Sequence, residues 1–238
     1  MTKYIPLFIL FLPAAFADIT QLQPPKHIKM LAPRTENALL RKLAESIYKE
    51  SFKRLNVNVS FSGCVPSFCG QHVTNGRADG EMGRTLLYNE KYPELIRTTQ
   101  SIFSIKFSAF STSPSIKLNS WDDLIGKNYK ISYIDANYIA SSNLKTRMNT
   151  SNLITVEHWR AGLNKILTKE VDIYIGVERT VLAELKGMDT GINLVGTLET
   201  AELYPYFNKK HRLLSEQLAI KLNEMKFDGT MGALLSSY

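Results

Sequence analysis

The spacing of apolar residues along the chain switches repeatedly between two periods, one suited to strands and one to helices. His27 to Ala32 makes a short apolar strand ended by Pro33, and Thr35 can cap the helix that follows, its hydroxyl accepting from an early free amide. That helix carries Leu39, Leu40, Leu43, Ala44, Ile47, Tyr48, Phe52 and Leu55 as one apolar stripe. Val57 to Phe61 alternates as a strand does, and Ala78 to Met82 makes a third strand. Ser101 to Phe110 is a long extended run in which apolar residues alternate with Ser and Lys.

A second series follows. Ser120 opens a short turn with acids in its first residues, where they favour the helix dipole. Tyr129 to Ile134 reads as a strand, Asn137 to Met148 as a helix and Leu153 to Val156 as a strand. A helical stripe runs through Trp159, Leu163, Ile166 and Leu167, followed by a strand at Val171 to Ile175 and a helix from Arg179 to Lys186. Ile192 to Leu198 is a second extended run. An amphipathic helix, Ser215 to Met225, closes the chain with Gly229 beyond its end. Strands alternating with helices are the grammar of an α/β protein. If both extended runs cross between the series, the chain makes two α/β lobes with a cleft at a hinge of strands. Ligands of open α/β sheets sit beyond the carboxyl ends of the strands, and hinged closure over them is a known motion. The expected division is 1–17 as a leader, 18–104 plus 198–238 as the first lobe and 105–197 as the second.

The leader changes the setting. Met1 to Ala17 has Lys3 at its start, an apolar stretch from Ile5 to Phe16 and an Ala15-Phe16-Ala17 cleavage pattern before Asp18. These are the parts of a secretory signal, and the stretch is shorter than the about 20 residues of a membrane span. The mature chain is expected to be exported, periplasmic and soluble. Its two cysteines, Cys64 and Cys69, are expected to form a structural disulfide in that oxidising compartment. The histidines show no ligand spacing, so no metal site is expected. The formal net charge is +7, and removing the leader lowers it by one unit. Basic residues are scattered, as in the short tract Lys209-Lys210-His211-Arg212, which gives no nucleic-acid signature.

The segment Gly76-Arg77-Ala78-Asp79-Gly80-Glu81-Met82-Gly83-Arg84 concentrates chemistry where a buried strand should open into a cleft. Together with Tyr92-Pro-Glu-Leu-Ile-Arg, Leu118-Asn-Ser-Trp-Asp-Asp-Leu-Ile-Gly-Lys, Lys169-Glu-Val-Asp-Ile-Tyr-Ile and Tyr204-Pro-Tyr-Phe-Asn-Lys-Lys-His, it forms an ordered set spanning nearly the whole mature chain. The set resembles the periplasmic solute-binding proteins of polar amino-acid ABC transporters, the bacterial extracellular solute-binding protein family 3. The resemblance implies a two-lobe periplasmic-binding-protein-like (type II) fold that closes on a small polar solute and hands it to an inner-membrane ABC permease. It implies a monomer without cofactor, and an arginine after the Asp-Gly strand that grips a ligand carboxylate. Arg84 is the residue here, because its planar fork can make two parallel bonds to a carboxylate. The competing reading makes Arg84 an ordinary surface arginine or an internal partner of Glu81. Glu81 in turn could receive a ligand ammonium or orient Arg84.

The chain departs from the family pattern in three places. Arg84 follows Asp79 by only five positions, without the usual longer Ser/Thr-rich stretch. The first strand is followed by Ala32-Pro-Arg-Thr, and the second-lobe turn that often presents free amides to an anion reads Ile134-Asp135-Ala136-Asn137. Glu178 is an approximate counterpart of an acid that often follows the later strand. Position adds Arg34 and Thr35 after the first strand, and Tyr133, Asp135 and Asn137 at the end of a second-lobe strand. Tyr133 reads equally well as core, Asp79 as a structural strand-end acid, and Trp121 and Trp159 as core or helix-face residues. No nucleophile elbow, phosphate loop, dinucleotide turn or zinc-protease helix is present. The expected activity is binding without turnover. The alternatives are a detached sensing subunit for a membrane receptor and a cleft lyase or dehydratase using acids such as Glu81, Asp135 and Glu178.

Overall fold

The strand His27–Pro33 (β1) buries Ile28, Met30, Leu31 and Ala32 while His27 and Lys29 face water. Its position sets the first lobe. The computed structural model describes residues 25–33, 38–135 and 137–237. The expected leader, Arg34 and Thr35 lie outside the described residues. The helix Ala38–Lys53 (α1) buries Leu43, Ala44, Ile47, Tyr48, Ser51 and Phe52, the spacing of one helical face. Asn58–Cys64 (β2), Cys69–Thr74 (α2), Gly80–Arg84 (β3), Tyr88–Lys91 (α3) and Ile96–Arg97 (β4) complete this series. Phe103–Ser111 (β5) leads out of it.

The second series is Ile131–Tyr133 (β6), Tyr138–Arg147 (α4), Leu153–Thr155 (β7), Trp159–Leu167 (α5), Ile173–Val177 (β8) and Glu178–Leu185 (α6). Asn193–Phe207 (β9) returns to the first. Arg212–Phe227 (α7) and Thr230–Ser236 (α8) end the chain. The sheet order is β2-β1-β3-β9-β5-β8-β6-β7, with β4 on β9. β1 runs parallel to β2 and β3, and β6 runs parallel to β7 and β8. β5 and β9 are antiparallel over their length, from Phe103 opposite Leu203 to Ser111 opposite Asn193. They are the two hinge strands, and the fold is the two-lobe α/β type expected from the alternating periods.

Two large apolar cores lie on either side of that pair. One gathers Ile28, Met30, Ile47, Phe52, Phe207 and Leu218, the other Phe107, Leu124, Ile131, Leu144, Ile173 and Ile175. Each fully buried side chain of this size contributes roughly 1.5–3 kcal/mol. Partly buried Ile105 packs against both cores. The strand expected at Ile192 to Leu198 is in fact much longer, because β9 passes from pairing with β5, through Leu203, straight into pairing with β3 and β4. Its Glu199 accepts from Trp121 Nε1 at 2.6 Å, and the carbonyl of Pro205 accepts from the Thr98 amide at 2.9 Å. The closing helix also extends beyond the expected span. It starts at Arg212, and after Gly229 a further helix, α8, packs Met231 into the first core.

Candidate functional site

β3 carries the chemistry, and its irregular pairing decides which way that chemistry points. Gly80 sits opposite Phe207, Glu81 opposite Tyr206 and Arg84 opposite Tyr204, with a register shift between Glu81 and Arg84. Three steps along β3 therefore match two along β9, which is a β-bulge. In an unbroken strand, residues three apart face opposite sides. The extra residue returns Arg84 to the face of Glu81, and Arg84 Nε donates to Glu81 Oε2 at 2.6 Å. Glycine at position 80 lets the strand lie this close: a Cβ there would meet the Tyr206 carbonyl at 2.7 Å and Met30 Sδ at 2.9 Å. Behind the bulge, the Tyr48 hydroxyl donates to the Met82 carbonyl.

Glu81 is fully buried, and its second oxygen accepts from the Tyr88 hydroxyl. Burial, together with the Glu81 charge, pushes the Tyr88 phenol far above its ordinary value. Burial also pushes Tyr206 up to about 12. The Arg84 side chain is 10% exposed and its guanidinium lies 4.8 Å from the Tyr88 ring centroid. Burial opposes the Arg84 charge, but the Glu81 carboxylate outweighs it and holds the guanidinium protonated. Arg84 Nη2 is buried with no hydrogen-bond partner among the described residues.

Arg84 lies on the wall of a cleft of about 670 Å³ between the lobes, within the range of ligand pockets. From the first lobe it is lined by the ends of β1 and β3 and by α3, at Ala32, Pro33, Gly83, Arg84, Tyr88 and Lys91. From the second lobe come the ends of β6 and β8 and the starts of α4 and α5, at Ile134, Asn137, Tyr138, Trp159 and Val177. The cleft thus lies where open α/β sheets hold ligands, beyond the carboxyl ends of the strands. Lys91 Nζ donates to the Tyr138 hydroxyl at 2.6 Å, joining the two lobes.

The remaining candidates are placed differently. Asn137 lines the cleft at the start of α4. Tyr133 is buried in the second core, and its hydroxyl is 3.5 Å from Asp135 Oδ1. Asp135 accepts from Lys145 at 2.7 Å and Ser141 at 2.7 Å, which hold its carboxyl below the usual range. Glu178 accepts from Ser108 and Thr197, each at 2.7 Å, and has Lys106 at 3.6 Å. Burial raises the Glu178 carboxyl, but these partners outweigh it and the net shift is downward. Glu81, Tyr133, Asp135 and Glu178 are not among the described residues lining the cleft. Arg34 and Thr35 lie outside the described residues. Sequence reading missed Tyr88, Lys91 and Tyr138, and it gave Trp159 only a packing role. Their signal was positional, since all four follow a strand end by four to seven residues.

Cys64 and Cys69 form a disulfide with Cα atoms 5.5 Å apart. It closes the turn from β2 into α2, whose Pro66 lines the cleft. The next residue, Gly70, faces Tyr88: a Cβ there would meet the Tyr88 hydroxyl at 2.5 Å. Asp79 immediately precedes β3, at the opposite end of the strand from Arg84. It accepts from His211 at 2.6 Å, the Lys29 amide at 2.9 Å and Lys210 at 3.1 Å, tying β1, β3 and the start of α7 together. Among the described residues no group of His, Cys, Asp and Glu could hold a metal ion.

No protein-family model matches the chain. An uncharacterized protein of Shewanella oneidensis is 28% identical over 194 residues, 79% of this chain and 72% of that protein. Among solved structures, a histidine kinase sensor domain with similarity to periplasmic binding proteins aligns with 90% of this chain and 96% of its own, at TM-score 0.70 and 12% identity. An ancestral arginine-binding protein bound to arginine aligns with 90% of this chain and 98% of its own, at TM-score 0.68 and 16% identity. The L-cystine solute receptor of Neisseria gonorrhoeae aligns with 91% and 94%, at TM-score 0.63 and 16% identity. These likenesses establish the periplasmic-binding-protein-like fold.

Proposed function

We propose that this protein is a periplasmic solute-binding protein that captures a small polar solute, an amino acid or related carboxylate, in the interlobe cleft and delivers it to an ABC permease. The observation that carries this reading is Arg84: a nearly buried guanidinium on the cleft wall, held by Glu81 and Tyr88, with Nη2 unpartnered among the described residues. A guanidinium oriented before binding loses little freedom when it grips a carboxylate. The disulfide fits an oxidising compartment, and the arginine- and cystine-binding neighbours make an amino-acid-like solute a reasonable class. The protein works as a monomer and releases its solute unchanged. Glu81, Asp135 and Glu178, the acids considered for a lyase, are engaged by other side chains and do not line the cleft.

The test is a thermal-unfolding screen of the mature protein against amino acids, small carboxylates and amines. A ligand of the folded state raises stability by about 2.7 kcal/mol at a hundred times its Kd. A dose-dependent rise for at least one small solute is expected, and a flat response to the whole screen sinks the reading. A second reading, delivery to a membrane receptor, is favoured by the likeness to a kinase sensor domain. Crosslinking in native membranes separates the two, since a permease or a receptor is captured.

A further inference from the structure

The cleft wall is asymmetric in its chemistry. A basic amino acid or any α-amino acid brings an ammonium that needs a partner once it leaves water, because an unpaired buried charge is strongly unfavourable. Among the described residues, the acids that line the cleft are Glu90 and Glu157, and both are exposed. Ion pairs at exposed positions are worth about 0–1 kcal/mol. The buried acid nearest the cleft, Glu81, has both oxygens committed, one to Arg84 and one to Tyr88. Glu178 is held by Ser108, Thr197 and Lys106 and stands outside the lining. Cations are better represented: Arg41, Arg84 and Lys91 all face the cleft, Arg41 being paired with Glu45 at 2.9 Å.

The rest of the wall is largely apolar. Leu40, Phe103, Ile105, Phe107 and Leu203 line it from the first lobe and the hinge strands, facing Ile134, Tyr138 and Trp159 of the second. Burying an apolar ligand body against such a wall is favourable by about 25 cal/mol per Å². A polar or charged side chain lying against these apolar residues would leave its hydration without replacement.

We infer that the ligand class is an apolar-bodied monocarboxylate without an α-ammonium, such as an aryl- or branched-alkyl-substituted acid. Its carboxylate bonds the Arg84 guanidinium and its body lies against the Phe103, Phe107 and Trp159 side. This inference rests on the solute-binding reading and narrows it, away from the amino acids bound by the fold's arginine- and cystine-binding neighbours.

The experiment compares matched probes on the full mature protein by thermal unfolding and titration calorimetry: 3-phenylpropanoate against phenylalanine and phenethylamine, 4-methylpentanoate against leucine, and arginine and glutamine as polar amino acids. At least one of the two carboxylates should raise the unfolding midpoint and bind tenfold or more tightly than its amino-acid counterpart. Binding of phenylalanine, leucine, arginine or glutamine as tightly as the carboxylates, or of phenethylamine alone, overturns this inference and leaves solute binding intact. A flat response to these probes and to a broad solute screen overturns the solute-binding reading and this inference with it. The double variant Glu81→Gln/Arg84→Gln removes the buried charges as a pair, so it retains the fold. It should lose carboxylate binding at least a hundredfold, and undiminished binding would remove Arg84 from the site.

Discussion

Lys91 of the first lobe and Tyr138 of the second meet across the mouth of the cleft, the ammonium donating to the phenol oxygen at 2.6 Å. Lys91 also stands 5.1 Å from the centroid of the Tyr138 ring. The bond to Tyr138 raises the lysine above its ordinary value. Both side chains are exposed, so the contact adds little to overall stability, about 0–1 kcal/mol. Its effect falls on the balance between closed and open lobes, where a difference of that size changes populations several-fold. Lys91→Met and Tyr138→Phe should therefore leave the unfolding midpoint within about 1–2 °C of the parent. They should shift the solution ensemble to a larger radius of gyration in X-ray scattering. An unchanged scattering profile for both variants would show that the contact does not hold the lobes.

Arg84 is bound into its lobe by the buried carboxylate that the bulge turns toward it. Arg84→Ala removes the partner of a fully buried charge, and breaking a buried pair costs about 3–5 kcal/mol. Replacing both residues by neutral side chains avoids that penalty. Urea unfolding of Arg84→Ala, Glu81→Gln and the Glu81→Gln/Arg84→Ala double variant should give strong non-additivity, with the double variant more stable than Arg84→Ala alone. Additive losses would mean that the two charges do not sense each other.

Much of the fold was legible because its elements repeat apolar residues at a single clear period. The α1 stripe from Leu43 to Phe52 and the alternation along β5 both announce their elements. β9 was read too short because Glu199, Glu202 and Pro205 look like a strand's end. Pairing with β5 through Leu203 and with β3 and β4 beyond it carries the strand on regardless of those side chains. The site was legible in part for the same kind of reason. Glu81 and Arg84 stood out by type, but a register shift leaves no mark in composition, and without it residues three apart would face opposite ways. Asp135 and Glu178 stood at the right strand ends. What sequence could not show was that Lys145 and Ser141, and Ser108 and Thr197, come from other elements to engage them.

The Cys64–Cys69 disulfide closes a very short loop, so chain entropy predicts about 2 kcal/mol of stabilisation. Its local reach is greater, because it sets the start of α2 and hence the position of Gly70 against Tyr88, which orients Glu81. The Cys64→Ser/Cys69→Ser variant should lose on the order of 5 °C in unfolding midpoint. Its ligand-induced stabilisation should fall by a larger proportion than its midpoint. Equal proportional losses would make the disulfide a global staple only.

Asp79 predicts how stability responds to acid. Burial raises its carboxyl, but His211, the Lys29 amide and Lys210 outweigh that and hold it well below the usual range. Its folded-state value therefore lies beneath the unfolded value of about 3.9, so the unfolded chain binds the proton first as pH falls. The Asp79 contribution is fully present above that value and is lost progressively below it. Urea midpoints of the parent should accordingly fall as the solution is taken from pH 5 toward pH 2. Asp79→Asn should be less stable than the parent at pH 7 and show a shallower fall in acid, the two curves converging at the lowest pH. Parallel curves would show that the acid sensitivity arises at other carboxylates, and that the tie from β3 to α7 through His211 does not depend on the Asp79 charge.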